Sequence, residues 1–405
     1  MVTIKDSVHD HIAVEGVAAD LLDTPAVQRL RRLRQLGTVG LVYPSANHTR
    51  FEHSLGVYHL ADRALSALGI GGKRAEELRA AAVLHDIGHT PFSHNIEALV
   101  ARRTGRMHDE VGDLLDEGEV ARVLAAHDID PGAVAALIAG DGEFGQLVSG
   151  ELDVDRMDYL VRDAHHTGVP YGTIDAGRLV RELRFVDGDL VLAEGNVQTA
   201  ESLLVARALM NPVVYNHHVA RISKAMLRRA SEQLLEAGET TASTLRRMDD
   251  AGLLVALRNC PETAAFAERL DTRSLYKRAI WAELRDVPDG IIDSEHDAIR
   301  EYERAVAARA GVDPVSVILD VPGRPRMSES TSRVVVNGDV RALESQSTLV
   351  SALRRTQHEQ WRLGVYAPED AAETVGTATE DVLGLDLDAL VVDARKGINA
   401  TLDEF

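Results

Sequence analysis

The chain has 405 residues, 64 acidic against 44 basic, a formal net charge of −20, and only five lysines beside 39 arginines. That length supports one main domain with a smaller lobe, and the charge excludes broad binding to the phosphate backbone of duplex nucleic acid. No run approaches the length of a membrane helix, the N-terminus MVTIKDSVHD lacks a signal-peptide core, and the single Cys260 allows no intrachain disulfide, so a cytoplasmic protein with no membrane partner is expected.

Taken in chain order, Thr24 is placed to cap a helix with Pro25 in its first turn. Val27, Leu30, Leu33 and Leu36 form its apolar stripe, and Gly37 stops it. A second helix is predicted over about 51–68, ending at Gly69, and a third over about 74–87. The third carries His85-Asp86 near its C-terminal end, before Gly88 and Pro91. Short helices fill about 108–166, and Asp187-Gly188 between two β-prone runs predicts a hairpin. Long helices follow over about 197–237, interrupted at Asn211-Pro212. Beyond them, Val315–Val321 and Arg333–Val336 are β-rich, Asn337-Gly338 is a turn signal, and a last helix is expected over 386–404. The expectation is a mainly α protein, with a helical core over 1–240 and a small α+β C-terminal lobe over 241–405. The acidic, lysine-poor composition also suits a high-salt cytoplasm and predicts a halophilic source.

The chemistry concentrates in AAVLHDIGHTPFSH, where His85, Asp86, His89 and His94 fall within ten residues. Burying such a cluster without a partner is costly, and a divalent cation is the natural one. A lone His-Asp pair is more readily a surface or N-cap dipeptide. Two further segments shift that balance: Arg50-Phe51-Glu52-His53-Ser54-Leu55 upstream, and Asp153-Val154-Asp155-Arg156-Met157-Asp158-Tyr159 downstream. The order His53, His85-Asp86, then an aspartate of the last segment resembles the HD-domain metal phosphohydrolases, in particular the dGTPase-like deoxynucleoside triphosphate triphosphohydrolases. The similarity is carried by blocks at 6–14, 28–37, 50–61, 84–94, 153–169 and 206–218.

That resemblance implies that the helical core is an HD domain and that His53, His85, Asp86 and Asp155 hold one divalent ion (Fe, Mn, Zn, Ni or Mg). Further Mg can arrive with the nucleotide. Two imidazoles and two carboxylates suit such an ion and leave positions open for water and phosphate. Asp158, on the same helical face as Asp155, is the rival ligand or an orienting partner; Asp153 reads as a helix cap. The resemblance further implies catalytic roles for His89, His94, Glu97 and His108, although Asp109 stands where relatives follow this last histidine with Glu. It places Gln35, Leu36, Arg50, Arg156, Tyr159, Asp163, Arg207, Tyr215 and Asn216 against the nucleotide, with a tyrosine packed under the sugar selecting deoxyribose. Asp23, Gln28 and Arg31 match a regulatory nucleotide site, though Val2 stands where some relatives carry lysine. His165-His166 and His217-His218 are read as structural, because adjacent helical side chains point about 100° apart. The implied function is hydrolysis of a dNTP to deoxynucleoside and tripolyphosphate by a homodimer or homotetramer, with an activating nucleotide as a possible partner. The alternatives are another HD phosphohydrolase, acting on monophosphates or nucleic-acid ends, and a catalytically weak nucleotide-sensing oligomer.

Overall fold

A computed structural model describes residues 1–325 and 332–385; the helix expected over 386–404 lies outside them. The chain opens on a β-hairpin, Val2–Asp6 paired antiparallel with Asp10–Val14, where a helical stretch was expected. Its second strand alternates, burying Ile12 and Val14, which is the period of a half-buried strand. Asp6 closes the turn by accepting from the backbone N–H groups of Val8 and His9 at 2.9 and 2.8 Å.

The helix predicted from Pro25 to Leu36 is shorter than its stripe suggests. It runs as α-helix over Pro25–Arg29, tightens to 3₁₀ over Leu30–Arg32, and then stops. The chain turns extended because Leu33 and Gln35 pair with the segment leading into the next helix: Arg50 N donates to Leu33 O, and Gln35 N to His48 O. Tertiary pairing overrides local periodicity here.

Three helices then frame the interior. Arg50–Leu68 starts at a reciprocal Thr49–Glu52 capping box and ends at left-handed Gly69 (φ 70°). Gly72–Leu84 packs against it and ends at His85, so His85-Asp86 lies in the following turn and not on the helix. Val154–Thr167, capped by Asp153, packs on the same Arg50–Leu68 helix from another side. Arg50, His53 and Gly56 therefore share one helical face opposite Asp155, Asp158 and Arg162. Val197–Met210 passes through a π-helical turn at Asn211–Tyr215 before His218–Glu236 resumes, as the Asn211-Pro212 break suggested.

The strands form two further sheets. Lys277–Glu283, Arg362–Ala367 and Ile318–Asp320 make an antiparallel sheet with Arg362–Ala367 central. Its apolar residues cluster with those of the helices His296–Ala310 and Ala372–Leu383. The hairpin at Asp187-Gly188 forms as expected, and its strand Asp189–Leu192 pairs in parallel with Arg333–Val336 of a second hairpin. Residues beyond 332 thus return to the first core, where Val334, Leu343 and Val350 are buried. The mainly α architecture with small sheets is the one observed. No helix among the described residues is long and apolar enough to cross a membrane.

Candidate active site

His53, His85 and Asp86 meet at one point, and Asp155, from a third stretch, lies beside both imidazoles. His53 Nε2 lies 2.8 Å from Asp155 Oδ1 and 3.3 Å from His85 Nε2, and His85 Nε2 lies 3.3 Å from Asp86 Oδ1. The other nitrogen of each imidazole is engaged: His85 Nδ1 donates to Ala82 O at 2.9 Å, and His53 Nδ1 donates to Asp158 Oδ2 at 2.8 Å. That turns both Nε2 atoms toward the same space, where each offers a lone pair once deprotonated, the form a cation requires. Asp86 Oδ2 is buried there without a hydrogen-bond partner among the described residues. Burial opposes protonation of His53, yet hydrogen bonds to Asp155 and Asp158 outweigh it and push the imidazolium up to about 10. A proton so held marks a strongly negative pocket, and a divalent cation would displace it. The residues fit a metal ion.

Asp158 faces His53 Nδ1 and not the shared point. It is fully buried and held by Arg162, whose guanidinium bridges Asp158 (2.9 and 3.1 Å) and Asp6 (2.8 and 3.3 Å); His9 Nε2 lies 2.6 Å from its other oxygen. Burial works against the Asp158 carboxylate, but Arg162 and the two imidazoles hold its pKa well below the usual range. Gly56 permits this approach, since a Cβ there would sit 1.8 Å from Asp158 Oδ1. The sequence reading missed Asp6, His9, Gly56 and Arg162. The Asp158/Arg162 pair at i,i+4 was the available signal.

A second imidazole cluster adjoins the first. His89 Nε2 lies 3.1 Å from Asp86 Oδ1 and its ring stacks on His108 with centroids 4.2 Å apart. Glu97 holds two rings at once, accepting from His94 Nδ1 at 2.7 Å and from His108 Nδ1 and backbone N–H. The orienting partner of His108 is therefore Glu97, while Glu110 accepts from the backbone of Met107 instead. Burial and the Arg50 charge push His89 well below the usual histidine range, so it is neutral. His94 is exposed.

Arg50 is buried, bonded to Asp86 Oδ1 at 2.7 Å and to Ser93 Oγ at 2.7 Å. Ser93 and Phe92 both adopt left-handed backbone (φ 59° and 55°), a conformation that costs non-glycine residues free energy. Asp250 holds that loop: its carboxylate accepts from Phe92 N at 2.6 Å and Arg34 N at 3.0 Å. Nothing in the local sequence signals this contact across 158 residues.

Asp163 is buried with both oxygens occupied, by His48 Nε2 at 2.8 Å and Tyr215 OH at 2.9 Å. Tyr215 meets Tyr159 edge-on at 6.2 Å. Gln35 is buried with its Oε1 unpartnered, Leu36 packs partly against the core, and Arg156 donates to Glu151 O at 2.9 Å. Arg207 and Asn216 line a cavity of about 420 Å³ shared with Arg221, Trp281 and Arg362 of the later segments. Gln28 bridges Leu22 O and Arg31, Arg31 stacks over Phe51 at 3.6 Å, and Asp23, next to Leu22 in the chain, is exposed. His166 stacks on His48, and His217 caps the helix it precedes by accepting from Val219 N.

Comparison with known proteins matches an HD domain over residues 50–163 and an HD-associated region over residues 174–393. An uncharacterised protein of Methanocaldococcus jannaschii is 32% identical over 91% of this chain and 80% of its own length. The human deoxynucleoside triphosphate triphosphohydrolase SAMHD1 is 29% identical over 56% of this chain, which spans 44% of that protein. The crystal structure of a hypothetical protein from Aquifex aeolicus superposes with a TM-score of 0.74 at 27% identity, covering 93% of this chain and 99% of that one.

Proposed function

The chain belongs to the HD-domain phosphohydrolases that carry an HD-associated region, and we propose that its reaction is hydrolysis of a deoxynucleoside triphosphate to deoxynucleoside and tripolyphosphate. The observation that carries this reading is the convergence of His53 Nε2, His85 Nε2, Asp155 Oδ1 and the unpartnered Asp86 Oδ2 beside a bank of imidazoles. A divalent ion held there (Fe, Mn, Zn, Ni or Mg) would supply a water of lowered pKa and Lewis-acid polarisation of the α-phosphate.

In this reading His89, His94 and His108 face phosphate oxygens. Glu97 fixes the Nδ1 side of two of them, which turns their Nε2 atoms outward. Water oxygen bonds to the α-phosphorus as the water releases a proton to solvent, the P–O5′ bond breaks, and His94, in its imidazolium form, gives its Nε2 proton to the leaving 5′-oxygen. Arg50 acts by holding Asp86, while Arg156 and Arg207 take the phosphate chain. The Tyr159–Tyr215 corner excludes a 2′-hydroxyl. Asp163 accepts the 3′-hydroxyl by exchanging one of its present partners, and Gln35, Leu36 and Asn216 border sugar and base. Similarity to SAMHD1 proteins supports the substrate class. A cytoplasmic homodimer or homotetramer in a salt-rich cell, with an activating nucleotide at Asp23, Gln28 and Arg31, belongs to the same reading.

The test is hydrolysis of all four dNTPs, GTP, dAMP and an oligonucleotide in molar salt with each candidate metal, scoring phosphate-chain length. Tripolyphosphate from dNTPs is expected. Orthophosphate from dAMP, with no tripolyphosphate from any dNTP, would replace this reading with a monophosphatase. A nucleotide-dependent change in oligomeric state without product would replace it with a sensor.

A further inference from the structure

A cleft on the far side of the catalytic turn has the wrong charge for this chain. Its outer part, about 740 Å³, is lined by four guanidiniums (Arg103, Arg106, Arg246 and Arg247) against two carboxylates, Asp113 and Glu117. Across the whole chain acids outnumber bases 64 to 44. Asp113 alone is shared by Arg106 at 2.5 Å, Arg246 at 3.0 Å and Arg247 at 3.9 Å, and Arg103 has no ion-pair partner among the described residues. Three guanidiniums on one carboxylate leave an unneutralised positive field, which suits several phosphate oxygens at once. The volume is within the range of small-molecule sites.

The inner part, about 480 Å³, shares Asp113, Arg246 and Arg247 and reaches Ile87 and Gly88, in the turn that joins His85-Asp86 to His89. Arg29 spans the same gap. Its guanidinium donates to the carbonyls of Arg246, Arg247 and Met248 on one side and to His89 O, at 2.8 Å, on the other. We propose that this cleft is a second anion site, outside the catalytic pocket, which takes the oligophosphate group of an effector. Its occupancy shifts the 246–248 backbone and is felt at His89 through Arg29.

Arg103, Arg106 and Arg247 are exposed, so the triple variant R103S/R106S/R247S leaves the core and the buried Arg246 untouched. Calorimetric titration of wild type with inorganic tripolyphosphate should resolve two binding classes per chain. The triple variant should lose one of them, at least tenfold in affinity, while the surface control R258S/R309S keeps both. dATP titrated in parallel separates a free polyphosphate from one carried on a nucleoside, since only the latter can use the inner apolar part. Added tripolyphosphate should also change the rate of whatever phosphoester the wild type hydrolyses in a way that simple competition at the catalytic pocket does not account for, and in the triple variant only that competition should remain. Tripolyphosphate binding that the triple variant leaves unchanged, in one class or two, overturns the proposal; a single class in wild type that the variant loses keeps this site and counts against the dNTP reading instead. Binding is read directly, so failure of the dNTP reading would not remove this site, nor would loss of this site touch that reading.

Discussion

The metal end and the substrate wall of the pocket are built on opposite plans. At the metal end three of the four proposed ligands are locked from behind: His85 by Ala82 O, Asp86 by Arg50 and Arg50 by Ser93, and His53 by Asp158, Asp158 by Arg162 and Arg162 by Asp6. At the substrate wall the polar groups bond to one another, as Asp163 does with His48 and Tyr215, or face solvent, as His94 and Asn216 do. A coordination site must hold lone pairs within tenths of an ångström before its ion arrives. A substrate wall must instead trade internal hydrogen bonds for those of the ligand. The metal end should therefore fail abruptly under mutation, and the wall by degrees.

The sharpest break is Asp155→Ala. It removes a carboxylate that supports nothing else in the core, so helicity by circular dichroism should stay near wild type. Metal content should fall to background and phosphohydrolysis by about a thousandfold or more, roughly 4 kcal/mol of lost transition-state stabilisation. Metal retained at one equivalent per chain would show that this end of the pocket is not the coordination site.

Arg162→Met tests the locking itself. The side chain is wholly buried, and its removal takes from the buried Asp158 and Asp6 the guanidinium they share, leaving them only imidazole and backbone N–H partners. Breaking a buried ion pair from one side costs about 3–5 kcal/mol, which should appear as a lowered denaturation midpoint. Tyr159→Phe at the wall should shift stability by well under half of that, which preserves the contrast. Gly56→Ala is milder. Its Cβ collides with Asp158 Oδ1, and the carboxylate must move off His53. An ion's affinity should drop about 10–100-fold, the usual effect of disturbing a ligand's outer partner, and stability should fall too, by less than in Arg162→Met, because the same Cβ meets Arg162 Nη2 at 2.5 Å.

The same contrast explains what could be read from the chain alone. His53, His85, Asp86 and Asp155 lie in short, ordered blocks, and the helices bearing His53 and Asp155 have plain start and stop signals: the Thr49–Glu52 box, Gly69, the Asp153 cap and Gly168. The Asn211-Pro212 interruption and the two Gly-containing hairpins were equally local, and so was the link from Glu97 to His94 at i+3. What stayed hidden is made by distance. The stripe through Leu33 and Leu36 promised a longer helix, because its competitor, pairing with residues 48–50, lies beyond any helical window. His9 and Asp6 reach Asp158 and Arg162 across some 150 residues, and the return of Val334 to the first core depends on a parallel pairing that no local pattern encodes.

Asp250 joins the two plans, and its titration measures the join. It comes from the HD-associated region, yet it pins Phe92 and Arg34, which flank the Ser93 that holds Arg50. Burial raises its pKa from 3.8 to about 6, against the pull of the two backbone N–H groups. The folded state therefore binds this proton more tightly than the unfolded chain does. Its contribution to stability is complete below pH 3.8 and is lost as pH rises through about 6. Asp250→Asn removes that titration and also sets an amide N–H₂ against one of the two donors, a fixed penalty of about 1–3 kcal/mol. Unfolding free energies measured from pH 3 to 7.5 should give a wild-type-minus-variant difference that shrinks as pH rises, with most of the fall between 3.8 and about 6. A difference independent of pH would mean that the carboxylate is already ionised at pH 4, and that its two backbone hydrogen bonds outweigh the burial they oppose.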